Sequence, residues 1–385
     1  MTTAGPLTGI RVVELAAIGP APYGVMLLAD LGADVVRVDR ATAGAGQLGV
    51  EASMVGVARN RRSIGLDLKT PGGREVLLRL VADADVFVEG FRPGVAERLG
   101  IGPEVLTGAN ARLIYARMTG WGQDGPLADT AGHDIDYAAV AGALHTVGRA
   151  GEPPPPPVNF LADFGGGGTF LAIGVLAALV ERSVSGAGQV VDAAMVDGTA
   201  SLTAFLHGLL SIGAWSTERE SNLLDGAAPY YDTYRCADGR FLAVGALEPQ
   251  FHAELCERLE LDPADFPQHD RETWPEQRRR LTELFATRTR DEWAELFAGS
   301  DACVAPVLDL EEAPHHPHNV ARGTFTDVFG TTQPSPAPRF SRSPGAIGRP
   351  PPQPGEHTDE LLHELGFGPD ATAALRSAGI VAGGR

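Results

Sequence analysis

Three side chains that can transfer protons lie within one stretch of the chain, residues 131–168. His133 and Asp134 are adjacent in the segment A-G-H-D-I-D-Y, and Asp163 comes shortly before a run of glycines. An imidazole and a carboxylate on two segments joined by a short return could flank one small substrate, one group taking a proton while the other supplies one. A turn in which Asp134 caps a helix beginning near Tyr137 would account for the same residues without any chemistry.

Other polar features near this stretch have more than one interpretation. Glu248 ends an apolar run, and a carboxylate there could hold one imidazole tautomer so that the other ring nitrogen acts as a base. The glycine run 165–168 predicts either backbone or a mobile loop near a ligand, or a tight entry to a buried helix. The G-x-G-x-x-G match at 44–49 has no helix start directly behind it, so we interpret it as chance. The proline-broken histidines at 315, 316 and 318 predict no metal site.

Composition restricts the class of protein. A net charge of −18 argues against nucleic acid as a partner, although arginines at 59–62 and around Arg92 and Arg98 could bind a small anion. The longest apolar run, 170–180, is too short to cross a bilayer, so no membrane association is expected. The cysteines are scattered and no secretory signal is visible, which together predict a cytoplasmic protein.

The order of strand-like and helix-like segments predicts an α/β fold with two domains. Residues 1–215 alternate between short β-branched runs and helical segments, which indicates a doubly wound parallel sheet whose ligand lies beyond the carboxyl ends of the strands. Residues 225–315 contain a hairpin signal at Asp238-Gly239 and amphipathic helices, which predict a smaller α+β domain. Residues 316–385 predict a surface connector and a C-terminal helix that returns to the large domain.

Segments spread over nearly the whole chain carry a resemblance to a known family. They are V-V-E-L-A-A-I-G-P-A-P, A-D-L-G-A-D-V-V-R-V-D-R, R-L-I-Y-A-R-M-T-G-W-G-Q, A-G-H-D-I-D-Y, Q-V-V-D-A-A-M-V-D-G, A-P-Y-Y-D-T-Y, A-V-G-A-L-E-P-Q-F, S-D-A-C-V-A-P-V-L and G-E-H-T-D-E-L-L. On these segments the chain resembles the family III CoA-transferase superfamily, and within it the racemases that act on 2-methylacyl-CoA thioesters.

This resemblance implies a fold, an assembly and an activity. The expected fold is a Rossmann-like large CoA-binding domain with a small domain, in an interlocked homodimer whose active sites lie between the large domain of one subunit and the small domain of the other. The expected activity is that of an isomerase in lipid metabolism, which inverts C2 of a branched acyl-CoA through an enolate, with no cofactor besides the CoA of the substrate. In that scheme His133 and Asp163 act on opposite faces of C2, Glu248 orients His133, and Asn159 helps to place Asp163.

The resemblance also implies a site for the CoA thioester. Its residues are Arg40, Gly65, Leu66, Asp67, Leu68, Arg92, Arg98, Gly132, Asp134, Ile135, Asp136 and Tyr137. Asp136 stands where the racemases usually carry Asn. In the CoA-transferases of the superfamily the position of Asp134 forms an aspartyl-CoA anhydride, so CoA transfer between carboxylic acids is the alternative function. Such transfer requires no opposed acid–base pair, so His133, Asp163 and Glu248 favour the racemase over the transferase and over a protein that only binds CoA esters.

Overall fold

The computed structural model describes residues 5–41 and 56–383, and the G-x-G-x-x-G match at 44–49 therefore lies outside the described residues. The described chain is a mixed α/β structure with a mostly parallel central sheet, as the sequence predicts. It groups into two compact units, the first of Met1–Ala141, Pro157–Thr203 and Gly323–Arg385, the second of Gly142–Pro156 and Ala204–Arg322. The second unit thus includes a segment from within the predicted large domain.

The strands and helices are numbered here in chain order. The strands are β1 (Arg11–Leu15), β2 (Asp34–Arg40), β3 (Arg61–Leu66), β4 (Val86–Glu89), β5 (Ile114–Thr119), β6 (Val190–Ala194), β7 (Tyr231–Arg235), β8 (Phe241–Gly245), β9 (Val304–Pro306), β10 (Phe325–Val328), β11 (Thr331–Pro334) and β12 (Val381–Ala382). The α-helices are α1 (Pro20–Asp30), α2 (Pro71–Ala82), α3 (Val95–Arg98), α4 (Pro103–Ala109), α5 (Asp134–Val140), α6 (Thr169–Ser185), α7 (Met195–Leu202), α8 (Ala204–Ser211), α9 (Pro249–Arg258), α10 (Trp274–Phe285), α11 (Arg290–Phe297), α12 (Pro317–Arg322), α13 (Thr358–Glu364) and α14 (Pro369–Ser377). A π-helix, Phe160–Gly168, leads directly into α6, and short 3₁₀ turns lie at Leu144–Thr146, Pro263–Asp265, Arg271–Thr273 and Ala313–His315.

The central sheet of the first unit has the order β12-β3-β2-β1-β4-β5-β6, and its strands are parallel except for β12, which pairs antiparallel with β3. The strand order reverses at β1, between β2 and β4, which is the doubly wound arrangement. β1, β3, β4 and β5 are buried almost throughout, as expected for a parallel sheet covered on both faces. The segments that follow β1, β2 and β4 therefore meet at one edge of the sheet.

The arginine-rich segment 59–62 is not an anion site, so that expectation was wrong. Arg61 begins β3 and forms a buried ion pair with Glu14 of β1. Arg59 is also buried and bonds Asp30 at the end of α1. Arg62 is buried against a cluster of carboxylates that includes Asp34, at 3.0 Å. These guanidinium groups offset internal carboxylates, since a buried charge must be paired, and they leave no cation free for a ligand.

The glycine run 165–168 lies in a helix, which decides between its two interpretations in favour of helix entry. A methyl group on Gly24 of α1 would lie 2.6 Å from the carbonyl oxygen of Gly168, and one on Gly198 of α7 would overlap that of Gly166. The ring of Tyr23 stacks on Phe164 at 4.5 Å between centroids. The glycines therefore let three helices approach closely, and they do not form a loop.

The π-helix and α6 form one continuous helix, Phe160–Ser185, which is longer than the apolar run 170–180 in the sequence. It has 26 residues and a mean hydropathy of 1.6, so by length and composition alone it could cross a membrane. It packs against α1, α7 and the sheet, it carries Asp163, and its Arg182 pairs with Asp85 at 2.7 Å. Core helices of globular proteins have the same properties, and we interpret it as one.

The second unit is built on the antiparallel sheet β7-β8-β9 and the helices α9 to α11. Asp238-Gly239 turns β7 into β8, as predicted, with Gly239 at a φ of 80°. An aromatic cluster of Tyr234, Phe285 and Trp293 fills the core. The region predicted as a plain surface connector contains secondary structure, since α12 ends the second unit and β10 and β11 form a hairpin in the first.

Candidate active site

His133 is the N-cap residue of α5 and is exposed. Its backbone N–H donates a 2.9 Å hydrogen bond to the carboxylate of Asp136, one turn into the helix. Such a bond occupies one N–H group that a helix start otherwise leaves unpaired. The helix therefore begins at Asp134 and not near Tyr137, and the interpretation of Asp134 as a simple cap is wrong. Ile135 and Asp136 face outward beside the imidazole.

Asp134 ties the start of α5 to the π-helix. Its side chain is 6% exposed, and Oδ1 accepts hydrogen bonds from the backbone N–H groups of Ala162 at 2.7 Å and Asp163 at 2.8 Å. Its other oxygen, Oδ2, is buried and has no hydrogen-bond partner among the described residues. One carboxylate thus joins the two segments that carry the candidate acid and base.

Asp163 lies half-buried in the first turn of the π-helix. Its pKa is raised to about 6: burial and then the negative charge of Asp134 raise it, while a hydrogen bond from Asn159 and the nearby His133 lower it. A carboxyl group with a pKa in this range exchanges its proton near neutrality, as general acids and bases must. Short π-helical segments are often found at functional sites. The structure therefore brings His133, Asp134, Asn159 and Asp163 together.

Gly19 closes the site on the β1 side and was missed by sequence reasoning. It precedes α1 with a φ of 71°, a conformation that favours glycine. A methyl group on it would lie 3.2 Å from Oδ2 of Asp163. The only sequence signal was a Gly-Pro pair after a strand, which indicates a turn but not what the turn approaches.

Tyr137 supports the turn before His133. Its hydroxyl donates to the carbonyl of Gly132 at 2.5 Å, and its ring meets Trp121 edge-on at 4.8 Å. A methyl group on Gly132 would lie 2.7 Å from the ring, so glycine is needed there. Burial, together with the charges of Asp163 and Asp136, raises the pKa of Tyr137 to about 12. The phenol therefore stays protonated and holds the turn in place.

Three exposed arginines follow the strands at the same edge of the sheet. Arg40 ends β2, Arg92 follows β4, and Arg98 ends α3. None of them forms an ion pair with another residue in the described part of the chain, which distinguishes them from the buried arginines of β3. They are cations available to an anionic ligand.

A buried ion-pair cluster, which sequence reasoning missed, fixes the loop that carries Arg92. Glu89 accepts hydrogen bonds from the N–H of Phe91 at 2.7 Å and from Arg117 of β5 at 2.8 Å. Arg117 also pairs with Glu97 of α3 at 2.8 Å. Burial raises the pKa of Glu89. In the sequence, Glu89 and Arg117 are a carboxylate and a guanidinium at the ends of two strands. They can be recognised as a pair only when it is known that β4 and β5 are neighbours.

The Gly65–Leu68 stretch makes contacts within the chain itself. Gly65 and Leu66 end β3 between β2 and β12. The N–H of Asp67 donates to the carbonyl of Ile380 at 2.8 Å, and Leu68 packs against the sheet core. Their position at the carboxyl end of β3 is where a ligand of this fold is expected.

Glu248 is the N-cap residue of α9 in the second unit, and its side chain is exposed. The remaining candidate catalytic residues, His133, Asn159 and Asp163, lie in the first unit. In the described part of the chain, no group of three His, Cys, Asp or Glu side chains lies close enough to hold a metal ion.

The chain matches a known protein family over most of its length. The model of CoA-transferase family III matches residues 7–358. The chain belongs to CoA-transferase family III. Its structure is similar to the crystal structure of a CAIB/BAIF family protein from Brucella suis, with a TM-score of 0.79 and 30% identity, over 94% of this chain and 100% of that one.

Two relatives of this family III chain are similar over nearly their full length. The α-methylacyl-CoA racemase of Mus musculus is 48% identical over 378 residues, which cover 97% of each chain. The α-methylacyl-CoA racemase of Homo sapiens is 46% identical over 378 residues, again 97% of each. The resemblance inferred from short segments is therefore confirmed, and it covers both units.

Proposed function

We propose that the protein is a racemase that inverts C2 of 2-methyl-branched acyl-CoA thioesters by proton transfer between two groups. The observation that carries this proposal is Asp163, whose pKa is raised to about 6 in a site shared with His133. Two relatives at 46% and 48% identity bear the name α-methylacyl-CoA racemase, which supports the same substrate class.

The proposed mechanism needs only these side chains and an enolate. One of the pair His133 and Asp163 removes the C2 proton from one face, and the electron pair moves into the thioester carbonyl. The other group then returns a proton to the opposite face, and the reverse reaction exchanges the roles. Each well-placed acid or base typically accelerates the reaction by about 10²–10⁴-fold. Asn159 hydrogen-bonds Asp163 and supports its position.

The enolate oxygen requires further stabilisation. At the start of α5 the N–H groups of Asp134 and Ile135 have no acceptor within the helix. They lie directly after His133, and we assign them to the thioester oxygen. One such donor typically raises the rate of the chemical step by about 10²–10³-fold. Because proton removal and return are redox-neutral, we propose no cofactor beyond the CoA of the substrate.

The exposed arginines support a CoA site at the same edge of the sheet. We assign Arg40, Arg92 and Arg98 to the phosphates of CoA, because guanidinium groups bind phosphate in a bidentate manner. The stretches at 65–68 and 132–137 would line the thioester arm between these cations and C2.

CoA transfer through Asp134 is the alternative function, and the burial of this residue argues against it. Formation of an anhydride requires one carboxylate oxygen to attack the thioester carbonyl. Oδ1 of Asp134 is engaged by two backbone N–H groups, and Oδ2 is buried. The proton-transfer pair has no such obstacle, since His133 is exposed.

We infer in addition a homodimer in which Glu248 of one subunit orients His133 of the other. Exposed apolar side chains on the outer part of α6 and on the edge strand β6 support an interface: Ile173 is 53% exposed, Val180 69%, Val184 88% and Val190 46%. Cytoplasmic location is also proposed, and the free cysteines Cys236, Cys256 and Cys303 are compatible with a reducing compartment.

The test of this function is incubation of a (2R)-2-methylacyl-CoA with the protein in D₂O. Deuterium at C2 together with the (2S) product is the expected result. CoA appearing on an added free carboxylic acid, with no exchange, would establish the transferase instead. Binding without either reaction would leave a CoA-ester-binding protein.

His133→Ala should slow C2 exchange by about 10²–10⁴-fold, because it removes one of the two proton-transfer groups. Its exposure means that the fold should be unchanged, as judged by circular dichroism. His318→Ala, at an exposed histidine of the second unit, is the matched control and should exchange at the wild-type rate. Full exchange activity in His133→Ala would rule out the assigned role.

A further inference from the structure

We propose that Asp134 is a positioning residue for the acid–base pair: it fixes the π-helix that carries Asp163 to the helix that follows His133, and it is the negative neighbour of Asp163. This inference rests on the proposed function and deepens it. It assigns to the carboxylate of Asp134 a role different from that of the nucleophile in the transferases and from contact with substrate, which the proposed function gives to the N–H group of this residue.

The positioning part of the role follows from two hydrogen bonds. Oδ1 of Asp134 accepts from the N–H groups of Ala162 and Asp163 at 2.7 and 2.8 Å. These N–H groups lie in the first turn of the π-helix, where helical acceptors are lacking. Because the acceptor belongs to the residue after His133, one side chain holds together the two backbone segments that carry the imidazole and the carboxyl group.

The electrostatic part follows from burial and from the absence of a cation. Asp134 is 6% exposed and forms no ion pair with a described residue. Its Oδ2 has no hydrogen-bond partner within residues 5–41 and 56–383, so the charge of the carboxylate is only partly offset by the two N–H donors. A like charge at short range in a poorly solvated site disfavours the ionised form of the neighbouring carboxyl group.

The groups that face Asp163 come from three elements. Asn159 directly precedes the π-helix that carries Asp163, and His133, Asp134 and Tyr137 come from the α5 segment. The backbone of Gly19 approaches from the turn before α1. Asp134 is the negative group among those acting on Asp163, and it acts in the direction that keeps a proton available near neutral pH.

Asp134→Asn separates the charge from the hydrogen bonds, because the amide oxygen can still accept from both N–H groups. The probe is the carboxyl ¹³C signal of aspartate-labelled protein, followed against pH, with Asp163 assigned as the signal missing from Asp163→Asn. We expect a midpoint of about 6 in the wild type and a fall of about one unit in Asp134→Asn. Asp192→Asn also alters a carboxylate that accepts a backbone N–H, at 3.0 Å from Gln123, and should leave the midpoint unchanged.

A second readout is the pH dependence of kcat/KM for C2 exchange. The limb of this profile that reports the ionisation of Asp163 should move to lower pH in Asp134→Asn by the same amount, a shift that mere loosening of the structure would not produce. Asp134→Ala, which also removes the acceptor of both N–H groups, should lower exchange by at least a further factor of about 10.

The two hypotheses fail in different ways. If the wild type catalyses no exchange, the proposed function is wrong, yet the titration of Asp163 still decides the role of Asp134. An unchanged midpoint in folded Asp134→Asn would overturn the electrostatic part, whatever the activity. Loss of the native circular dichroism spectrum in both Asp134 variants would overturn the positioning role as well, because Asp134 would then be needed for folding alone.

Discussion

At the scale of single residues, the site holds a carboxyl group in surroundings that favour its protonated form. Asp163 has a pKa of about 6 in place of 3.8, mainly because of burial. The folded protein therefore binds this proton more tightly than the unfolded chain does. Ionisation of Asp163 therefore lowers the free energy of unfolding. This loss is small below pH 4, grows as the pH rises through the folded pKa, and is complete above it. Such a cost is expected where a residue is placed for chemistry.

Asp163→Asn should consequently be more stable than the wild type at pH 8 by about 1–2 kcal/mol, after allowance for the partial exposure of the side chain. At pH 4 most of this difference should be absent, because this pH lies close to the ordinary pKa of 3.8 and well below the folded value. Urea denaturation at both pH values measures the difference. Asp129→Asn, at an exposed aspartate, is the control and should show no pH-dependent gain. A stabilisation of the same size at pH 4 would mean that ionisation is not its cause.

At the scale of elements, the position of Asp163 depends on close packing between helices. Gly198 of α7 faces the carbonyl oxygen of Gly166 in the π-helix so closely that any side chain would overlap it. Gly24 of α1 approaches Gly168 from another direction. The interior is close-packed, so an added methyl group would have to push the π-helix and its carboxyl group aside.

Gly198→Ala should therefore destabilise the protein by about 2–3 kcal/mol and reduce C2 exchange as well. Gly208→Ala is the matched control, since Gly208 lies within α8 and, among the described residues, no atom outside the backbone of its own helix lies within 4 Å of the added methyl group. It should stabilise the protein by about 0.5–1 kcal/mol, because alanine is the better helix former. Urea unfolding of both variants gives the comparison. Equal effects would show that the packing at Gly198 does not limit stability.

At the scale of the whole molecule, the proposed dimer makes a prediction that a single subunit cannot meet. If Glu248 orients His133 of the other subunit, His133→Ala and Glu248→Ala remove different parts of shared sites. A heterodimer of the two variants then contains one complete site, with His133 from one chain and Glu248 from the other. We expect such heterodimers, isolated by two affinity tags after co-expression, to recover about half of the wild-type exchange activity.

The controls for this experiment are the two variant homodimers, which should both be inactive or nearly so. Recovery in the heterodimer would support the shared site and, with it, the homodimer. If Glu248 instead serves the His133 of its own chain, or has no role, the heterodimer should be no more active than the better homodimer.

Several features could be predicted from the sequence because they depend on local patterns. The alternation of strand and helix predicted the parallel sheet, and Asp238-Gly239 predicted the hairpin of the second unit. The family resemblance followed from short segments and is confirmed over the chain. The pair His133 and Asp163 was a candidate by residue type alone, since few side chains exchange protons near neutrality.

The features that could not be predicted depend on partners distant in the sequence. The arginines 59–62 resembled an anion site until Glu14, Asp30 and Asp34 were found beside them. Asp134 and Asp163 were named as candidates from their residue types, but the hydrogen bonds that Oδ1 of Asp134 accepts from the π-helix were not foreseen. Gly19 was missed because its role is to leave space.

The sequence by itself thus determined which elements form and which side chains could do chemistry. The tertiary structure alone decided which of those side chains are free and which are already paired, because burial and long-range contact set the charge state and position of each. Asp134 shows the difference most clearly. In the sequence it is the neighbour of His133, whereas in the folded chain its carboxylate accepts the backbone N–H of Asp163, and its charge adds to burial in raising the pKa of that half-buried carboxyl group.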